Sequence, residues 1–228
     1  MTAYATRERP SQKDTAQTIL AFIRERNIKR LVHFTRVENL ASIVLNGLVP
    51  VEQAEKSGLN PAINDVLRLD RYRNATSLSI STPNSKMLYR YHRELPSVPW
   101  SVLMLSTDIL FEKACAFCRY NAADSRIRSR SLPFLRSIKT LQGMFEEAEG
   151  ETADWWLRPN DPIDEQAEVL VFDVIEPKYI HSIIVADTET KDSLPAFVRK
   201  KLRVWCDAHI YSNRKFARTN NLQTPLWA

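Results

Sequence analysis

The stretch Arg30-Leu-Val-His-Phe-Thr-Arg-Val-Glu-Asn-Leu-Ala-Ser-Ile-Val-Leu-Asn-Gly-Leu48 changes its period halfway along. Arg30 to Thr35 is short, apolar and partly β-branched, which predicts a strand. From Val37 to Asn46 the apolar residues Leu40, Ile43 and Val44 fall at helical spacing, and Gly47 then offers a C-cap. The strand therefore delivers His33, Phe34 and Thr35 to its end, just before a helix. A strand end is where polar groups meet a ligand, although a lone histidine there equally suits a structural role.

Upstream, Ser11-Gln-Lys-Asp14 reads as a capping box that opens an amphipathic helix to about Arg26, with Ile19, Leu20, Phe22 and Ile23 on its apolar side. Downstream, Leu48 to Val51 is extended, and residues 52–74 lack periodicity and read as a long loop, a feature that is usually functional. Ala75-Thr-Ser-Leu-Ser-Ile-Ser81 alternates as a strand does. Pro83 and Asn84 start a helix through Met87, Leu88 and Tyr91, and Val98 to Ser106 is a further strand. Residues 108–130 are irregular and basic, and Leu132 to Glu147 is helical. Glu168 to Ile175, His181 to Ala186 and Leu202 to Tyr211 are β-rich, with a helix between the last two. Uneven loops in place of regular crossovers favour an α+β fold. With no repeat and no linker, the chain reads as one domain over 1–228, with 1–28 a helical extension and 212–228 a C-terminal tail.

Composition excludes several classes. The 228 residues include only four glycines, Gly47, Gly58, Gly143 and Gly150, too dispersed for a P-loop or a G-x-G-x-x-G turn. No apolar run reaches membrane-spanning length, and Met1 to Lys13 lacks the apolar core of a secretory signal. Three cysteines do not suggest a disulfide framework, so a reducing cytoplasm is the expected compartment.

The net charge of +5 is the remainder of opposed segments. Arg119 to Lys139 holds six basic residues and only Asp124, near Phe117, Tyr120 and Phe134, whereas Glu146 to Glu176 holds eleven acids and only Arg158. Arginine among aromatics suits single-stranded nucleic acid, and it equally suits solvated helix faces.

Two constellations could carry chemistry. Cys115-Ala-Phe-Cys118 and Cys206-Asp-Ala-His209 have the spacing of a zinc site, but positions i and i+3 of a strand face opposite ways. Glu168 opens the apolar run Val169-Leu-Val-Phe172, so its carboxylate stands at the mouth of a sheet, placed to bind a hydroxyl or take a proton. A solvated edge residue would have the same spacing.

Several of these segments together resemble the DarT family of DNA ADP-ribosyltransferases. Arg30 to Leu48 resembles the family's opening strand, histidine, asparagine-leucine helix and glycine-leucine turn. Ser79-Ile-Ser-Thr-Pro-Asn-Ser-Lys-Met-Leu-Tyr89 resembles its central proline…methionine-leucine-tyrosine element, and Phe117-Cys-Arg-Tyr-Asn-Ala-Ala-Asp124 its substrate-loop region. Gln166-Ala-Glu-Val-Leu-Val171 resembles the motif that carries its catalytic glutamate. The matches arrive in family order over about residues 30 to 211.

The resemblance implies an ADP-ribosyltransferase-like split mixed β-sheet flanked by helices, with NAD bound without a glycine cradle and consumed as substrate. It implies Glu168 and Arg68 as catalytic residues, and His33, Thr35, Asn39, Arg71, Met87 and Tyr89 as the NAD cleft. Arg119, Asn121, Arg126 and Arg128 would face single-stranded DNA, and no metal is implied. It further implies a toxin with a cognate antitoxin that removes ADP-ribose, acting as a cytoplasmic monomer with no membrane partner. The thymine-modifying branch typically carries H-D-Y-V-P-F-Y-F before the proline element, where this chain has Asn74-Ala-Thr-Ser-Leu-Ser-Ile-Ser81. That difference places the chain nearer the guanine-modifying branch, with thymine second. The alternatives are an ADP-ribosyltransferase acting on RNA or protein, and a non-enzymatic nucleic-acid-binding module with a structural zinc.

Overall fold

The computed structural model describes residues 12–59, 61–62, 72–148, 150 and 152–227. Seven strands form one mixed sheet: β1 Leu31–Arg36, β2 Thr76–Ile80, β3 Trp100–Leu105, β4 Cys115–Cys118, β5 Glu168–Val171, β6 Ile180–Val185 and β7 Arg203–Cys206. Their order across the sheet is β4-β5-β2-β1-β3-β6-β7, with β6–β7 parallel and the other neighbours antiparallel. The helices are α1 Gln12–Glu25, α2 Leu40–Asn46, α3 Val51–Lys56, α4 Ser85–Glu94, α5 Ile109–Glu112 and α6 Ser125–Arg128. They continue as α7 Leu132–Leu135, α8 Ile138–Gly143, α9 Thr188–Ser193, α10 Ala196–Lys201 and α11 Arg214–Thr219. No helix among the described residues is long and apolar enough to cross a membrane.

Because side chains alternate along each strand, the sheet sorts its residues into two faces. On one face Leu31, Leu78, Leu103, Phe117, Val169 and Ile183 join a continuous core with α1, α2 and residues of α8 and α10. On the other face the core is broken in two. Val32, Trp100, Val102 and Ile184 pack with Leu88 and Tyr91 of α4 and with Ala217 of α11, while Ala116, Cys118 and Leu170 pack with Ile127 of α6 and Leu135 of α7. The gap between those two clusters is where the sheet opens.

The split lies between β1 and β2. Their register pairs only Leu31 with Ile80 and Val32 with Ser79. From His33 onward β1 stays with β3, and Thr76 to Leu78 of β2 stay with β5, so the two strands separate. Immediately after β2, Ser81 takes φ 64° and the Thr82 N–H donates to the Ile80 carbonyl at 2.7 Å, a γ-turn of a rare kind. The Ser81 hydroxyl secures that turn by donating to the Asn160 carbonyl at 2.7 Å.

Several expectations are refined. The expected loop 52–74 begins with α3, entered through Pro50 at its N-cap. The expected helix from Leu132 to Glu147 is two short helices with a break at Arg136 and Ser137. The basic segment 108–130 contains β4, the sheet's first edge strand, whose four residues are all buried. Near the C-terminus Leu226 and Trp227 are fully buried, and Arg158 and Arg218 both donate to the Trp227 carbonyl. Likewise Ile19, Phe22 and Ile23 of α1 belong to the main core.

The two halves of the proposed zinc set stand at opposite edges of the sheet, Cys115 and Cys118 on β4 and Cys206 at the end of β7. At about 4.8 Å per strand spacing they are nearly 30 Å apart, so they cannot share a zinc. Among the described residues no group of three or more His, Cys, Asp or Glu side chains could hold a metal ion. Burial pushes the Cys115 thiol up to about 12, whereas Cys206 is exposed. A thiol reagent at neutral pH is therefore expected to label Cys206 alone in the native protein and all three cysteines after denaturation, counted by mass spectrometry.

Arg218 and Asp161 form a bidentate ion pair, Nε to Oδ2 at 2.9 Å and Nη2 to Oδ1 at 2.7 Å, with both side chains almost wholly buried. Removing one partner strands the other charge in the core. Asp161→Ala is expected to lower stability by about 3–5 kcal/mol in urea denaturation, and the double variant with Arg218→Ala to lose less than the sum of the two single changes.

Candidate active site

A cavity of about 390 Å³ fills the split, within the usual range for a small-molecule site. Its walls come from both half-sheets: Val32, His33, Phe34 and Thr35 on one side, Ala75, Thr76, Ser77 and Glu168 on the other. Helix α4 closes it with Met87, Arg90 and Tyr91, and Asn121 and Ala123 come from the loop after β4.

His33 spans the opening. Its Nδ1 lies 2.8 Å from the Ser77 carbonyl. A carbonyl can only accept, so Nδ1 donates and carries the ring proton in the neutral form. The side chain thus joins β1 to β2 just where their ladder has ended.

Glu168 opens β5 opposite Cys118 of β4 and is 7% exposed. The Asn121 amide Nδ2 donates to its Oε1 at 2.9 Å, and the Ala122 N–H donates to its Oε2 at 3.0 Å. Asn121 is itself fixed, because its Oδ1 accepts from the Ala123 N–H at 2.9 Å and its Nδ2 touches the Met87 sulfur at 3.6 Å. Both carboxylate oxygens are therefore aimed by a short loop, and Glu168 and His33 look into the same cavity from opposite half-sheets.

Asn39 serves the rim. Its amide donates to the Thr35 hydroxyl at 3.0 Å and to the Ala62 carbonyl at 3.1 Å, and its Oδ1 accepts from the Ala62 N–H at 2.8 Å. This two-way clamp holds the chain at Ala62. Arg68 and Arg71 lie outside the described residues.

The structure thus brings His33, Thr35, Asn39, Met87, Asn121 and Glu168 to one cavity. Asn121, expected on the DNA side, is the immediate neighbour of Glu168. Tyr89 does not reach the cavity: it is 49% exposed with Arg93 above its ring, and Tyr91 lines the cleft in its place. The helix explains this, since Met87 and Tyr91 are four residues apart on one face and Tyr89 points away from it. Arg119 is half-buried and donates to the Gly143 carbonyl at 2.7 Å, which turns it toward α8. Arg126 and Arg128 are exposed.

Arg126 is held over the Tyr120 ring at 3.4 Å and is bidentate to Asp124, at 2.9 and 2.8 Å. That hydrogen bonding pulls the Asp124 carboxyl down to about 2 and raises the guanidinium. The pair is fully formed above the usual carboxylate range near 3.9 and is lost only as the pH falls toward 2.

Sequence reasoning missed Asn84. It is the N-cap of α4, accepting the Met87 N–H at 3.1 Å, and it lines the cavity while only 3% exposed. Its Nδ2 is buried without a hydrogen-bond partner among the described residues. The sequence showed the cap but could not show which way the spare amide donor would point.

Comparison with known proteins agrees with this geometry. Residues 32–212 match a family model described as "DarT: ssDNA thymidine ADP-ribosyltransferase, DarT". Among solved structures, the chain is similar to Thermosipho africanus DarTG in complex with ADP-ribose, at 20% identity and a TM-score of 0.57, covering 80% of this chain and 51% of that one. This chain therefore spans about half of that neighbour's length. It is also similar to Thermus sp. 2.9 DarT in complex with NAD+, at 18% identity and a TM-score of 0.54, covering 80% of this chain and 97% of that one. The same Thermus protein in complex with ADP-ribosylated ssDNA gives 14% identity and a TM-score of 0.56, covering 81% and 97%. At such identities the likeness is one of fold, and it is the expected split mixed sheet flanked by helices. No curated protein sequence matches. The family description names thymidine, and nothing in the comparisons supports the guanine preference read from Asn74 to Ser81. With the matching segment spanning most of the chain and the split sheet shared with those neighbours, the chain belongs to the DarT family of ssDNA thymidine ADP-ribosyltransferases.

Proposed function

We propose that this chain transfers ADP-ribose from NAD to a base in single-stranded DNA, with thymidine as the acceptor that the family description names. The observation that carries this reading is Glu168, a buried carboxylate aimed by two donors into a cavity that opens between half-sheets. The Thermus neighbours, one in complex with NAD+ and one with ADP-ribosylated ssDNA, support the same two substrates.

The residues suit NAD. The cavity offers the orphan Asn84 amide and the serines of β2 as polar contacts, without a glycine cradle. Arg68 is the proposed cation for the diphosphate, with Arg71 beside it in sequence. His33, Thr35 and Met87 form the proposed walls around the nicotinamide ribose. The glycosidic bond to nicotinamide breaks through an oxocarbenium-like transition state, and the electron pair leaves with nicotinamide. Glu168 holds a ribose hydroxyl and accepts the proton released as the base attacks the anomeric carbon. Outside the cavity, Arg126 and Arg128 are the proposed strand contacts. The family resemblance places the chain as the toxin of a cytoplasmic toxin–antitoxin pair whose partner removes the modification, and the DarTG neighbour in complex with ADP-ribose is in keeping with that reading.

Mass spectrometry of short oligonucleotides of differing base content, after incubation with NAD, tests the reaction and names the base. Thymine-containing strands are expected to gain one ADP-ribose, and strands lacking thymine none. Glu168→Ala is expected to reduce transfer by roughly 10²–10⁴-fold, with NAD affinity by calorimetry within about threefold of the parent. Undiminished transfer in that variant would refute the assignment. Asn121→Ala removes the donor to Glu168 Oε1 and keeps the Ala122 N–H on Oε2. It is expected to lower kcat by up to about 10²-fold with little change in the KM for NAD, as steady-state kinetics would show.

A further inference from the structure

A second concavity, of about 400 Å³, lies at the free edge of the sheet against β7. Its lining includes Lys191 from α9, Arg199 from α10, and Arg203 and Trp205 from β7, with no acidic residue. The Arg203 guanidinium lies 3.5 Å from the Trp205 ring centroid, so the aromatic holds the cation in place at an exposed edge. Arg199 has Asp192 at 3.5 Å, and among the described residues no ion pair engages Lys191 or Arg203. Cations interleaved with an aromatic make a surface for a chain of phosphates.

Strand register relates this groove to the cavity. Phe34, which lines the cavity, is in register with Val102, then Ile184, then Trp205. Val32, also in the cavity wall, leads through Met104 and Ser182 to Arg203. Arg203 and Trp205 therefore stand on the same two rows and the same sheet face as Val32 and Phe34, three strand spacings or about 14 Å away. Lys191 and Arg199 reach the groove around the β7 edge from helices packed on the opposite face. Helix α4 stands between the cavity and the groove. It gives Met87 and Tyr91 to the cavity, while His92 stacks on Tyr211, beyond the end of β7, at 3.8 Å. The outer ridge of α4 carries the exposed Tyr89 with Arg93 5.8 Å from its ring centroid, a second aromatic–cation pair.

We propose that the β7-edge groove binds the phosphate backbone of the single-stranded DNA flanking the modified base, the strand reaching it over the α4 ridge. This rests on the DNA reading above. The modified base would sit in the split while Lys191, Arg199 and Arg203 hold phosphates a few nucleotides away.

The test compares the parent with the triple variant Lys191→Ala/Arg199→Ala/Arg203→Ala on a minimal oligonucleotide and on one of about twenty residues carrying the same central sequence. Binding is read by fluorescence anisotropy across a salt series, and transfer by mass spectrometry. For the parent, the long strand is expected to bind at least tenfold more tightly than the short one. The triple variant is expected to lose that advantage, with the slope of log K against log salt falling by about 2, since each lost phosphate contact on single strands is worth about 0.7. Transfer to the minimal strand is expected to stay within about twofold. Trp205→Ala, which leaves all three cations, is expected to weaken long-strand binding at an unchanged salt slope. Equal length dependence and salt slope in parent and triple variant would overturn the groove. So would binding of a polyglutamate peptide, abolished by the triple variant, without any effect on DNA, because that result points to an acidic protein partner. A parent that transfers ADP-ribose to no oligonucleotide refutes the enzymatic reading, and the anisotropy series then still decides the groove.

Discussion

Among the described residues two rungs of strand register, Leu31 with Ile80 and Val32 with Ser79, join β1 to β2 and so the two halves of the sheet. The Ser81 N–H donates to the Arg30 carbonyl just beyond them. Continued by one more rung, the ladder would pair His33 with Leu78 and close the space that holds the cavity. The ladder stops, and the cost of parting two strands is met on both sides. Each strand keeps its outer partner, so most backbone groups stay paired, and the His33 ring takes over one of the carbonyls that the split would otherwise leave bare. Beneath the split the core is unbroken, and above it the core is in two pieces. The site exists because the pairing fails on one face while the packing holds on the other.

Charge is distributed by the same logic. Several acids of the segment from Glu146 to Glu176 are engaged by the fold. Asp161 is buried against Arg218, Glu165 meets Ser85 and Lys86, Asp173 accepts the Ala114 N–H, and Glu176 pairs with Lys113. Glu168 alone of these faces the cavity. The arginines divide differently. Arg30, Arg158, Arg214 and Arg218 are drawn inward around Asp161, Trp227 and neighbouring carbonyls, and burial lowers the pKa of the first three. Arg126, Arg128 and Arg203 remain outside. A modest net charge therefore describes neither surface, because charges of both signs are paired within the fold, Asp161 with Arg218 most deeply.

Much of the frame was legible in the sequence because it rests on local signals. The change of period at Arg36 and the glycine at 47 placed β1 and α2, and the alternation from Ala75 placed β2. Glu168 stood out at the start of an apolar strand, but its spacing suited a solvated edge residue equally, and the family resemblance was what singled it out. Other features depend on contacts that no window along the chain contains. Asn121 finds Glu168 across forty-seven positions, and Asn39 finds Ala62 across twenty-three. Strand β4 lies within a basic, irregular segment, so its pattern is masked by its neighbours, and burial rather than propensity makes it a strand. The burial of Trp227 is likewise set by distant partners, since its own carbonyl accepts from both Arg158 and Arg218.

Gly47 ends α2 with φ 82°, and a Cβ there would lie 2.2 Å from the Ile175 carbonyl oxygen. Leu48 and Ile175 exchange backbone hydrogen bonds at 2.9 and 3.0 Å, so the helix that follows β1 is fastened to the segment that follows β5. The strand bearing His33 and the strand bearing Glu168 thus belong to halves latched together behind the cavity. Like the spine of a book, the latch fixes the axis about which the two halves can part. The histidine and the glutamate therefore face one another across a cavity whose wall at Gly47 and Leu48 is itself one side of that latch.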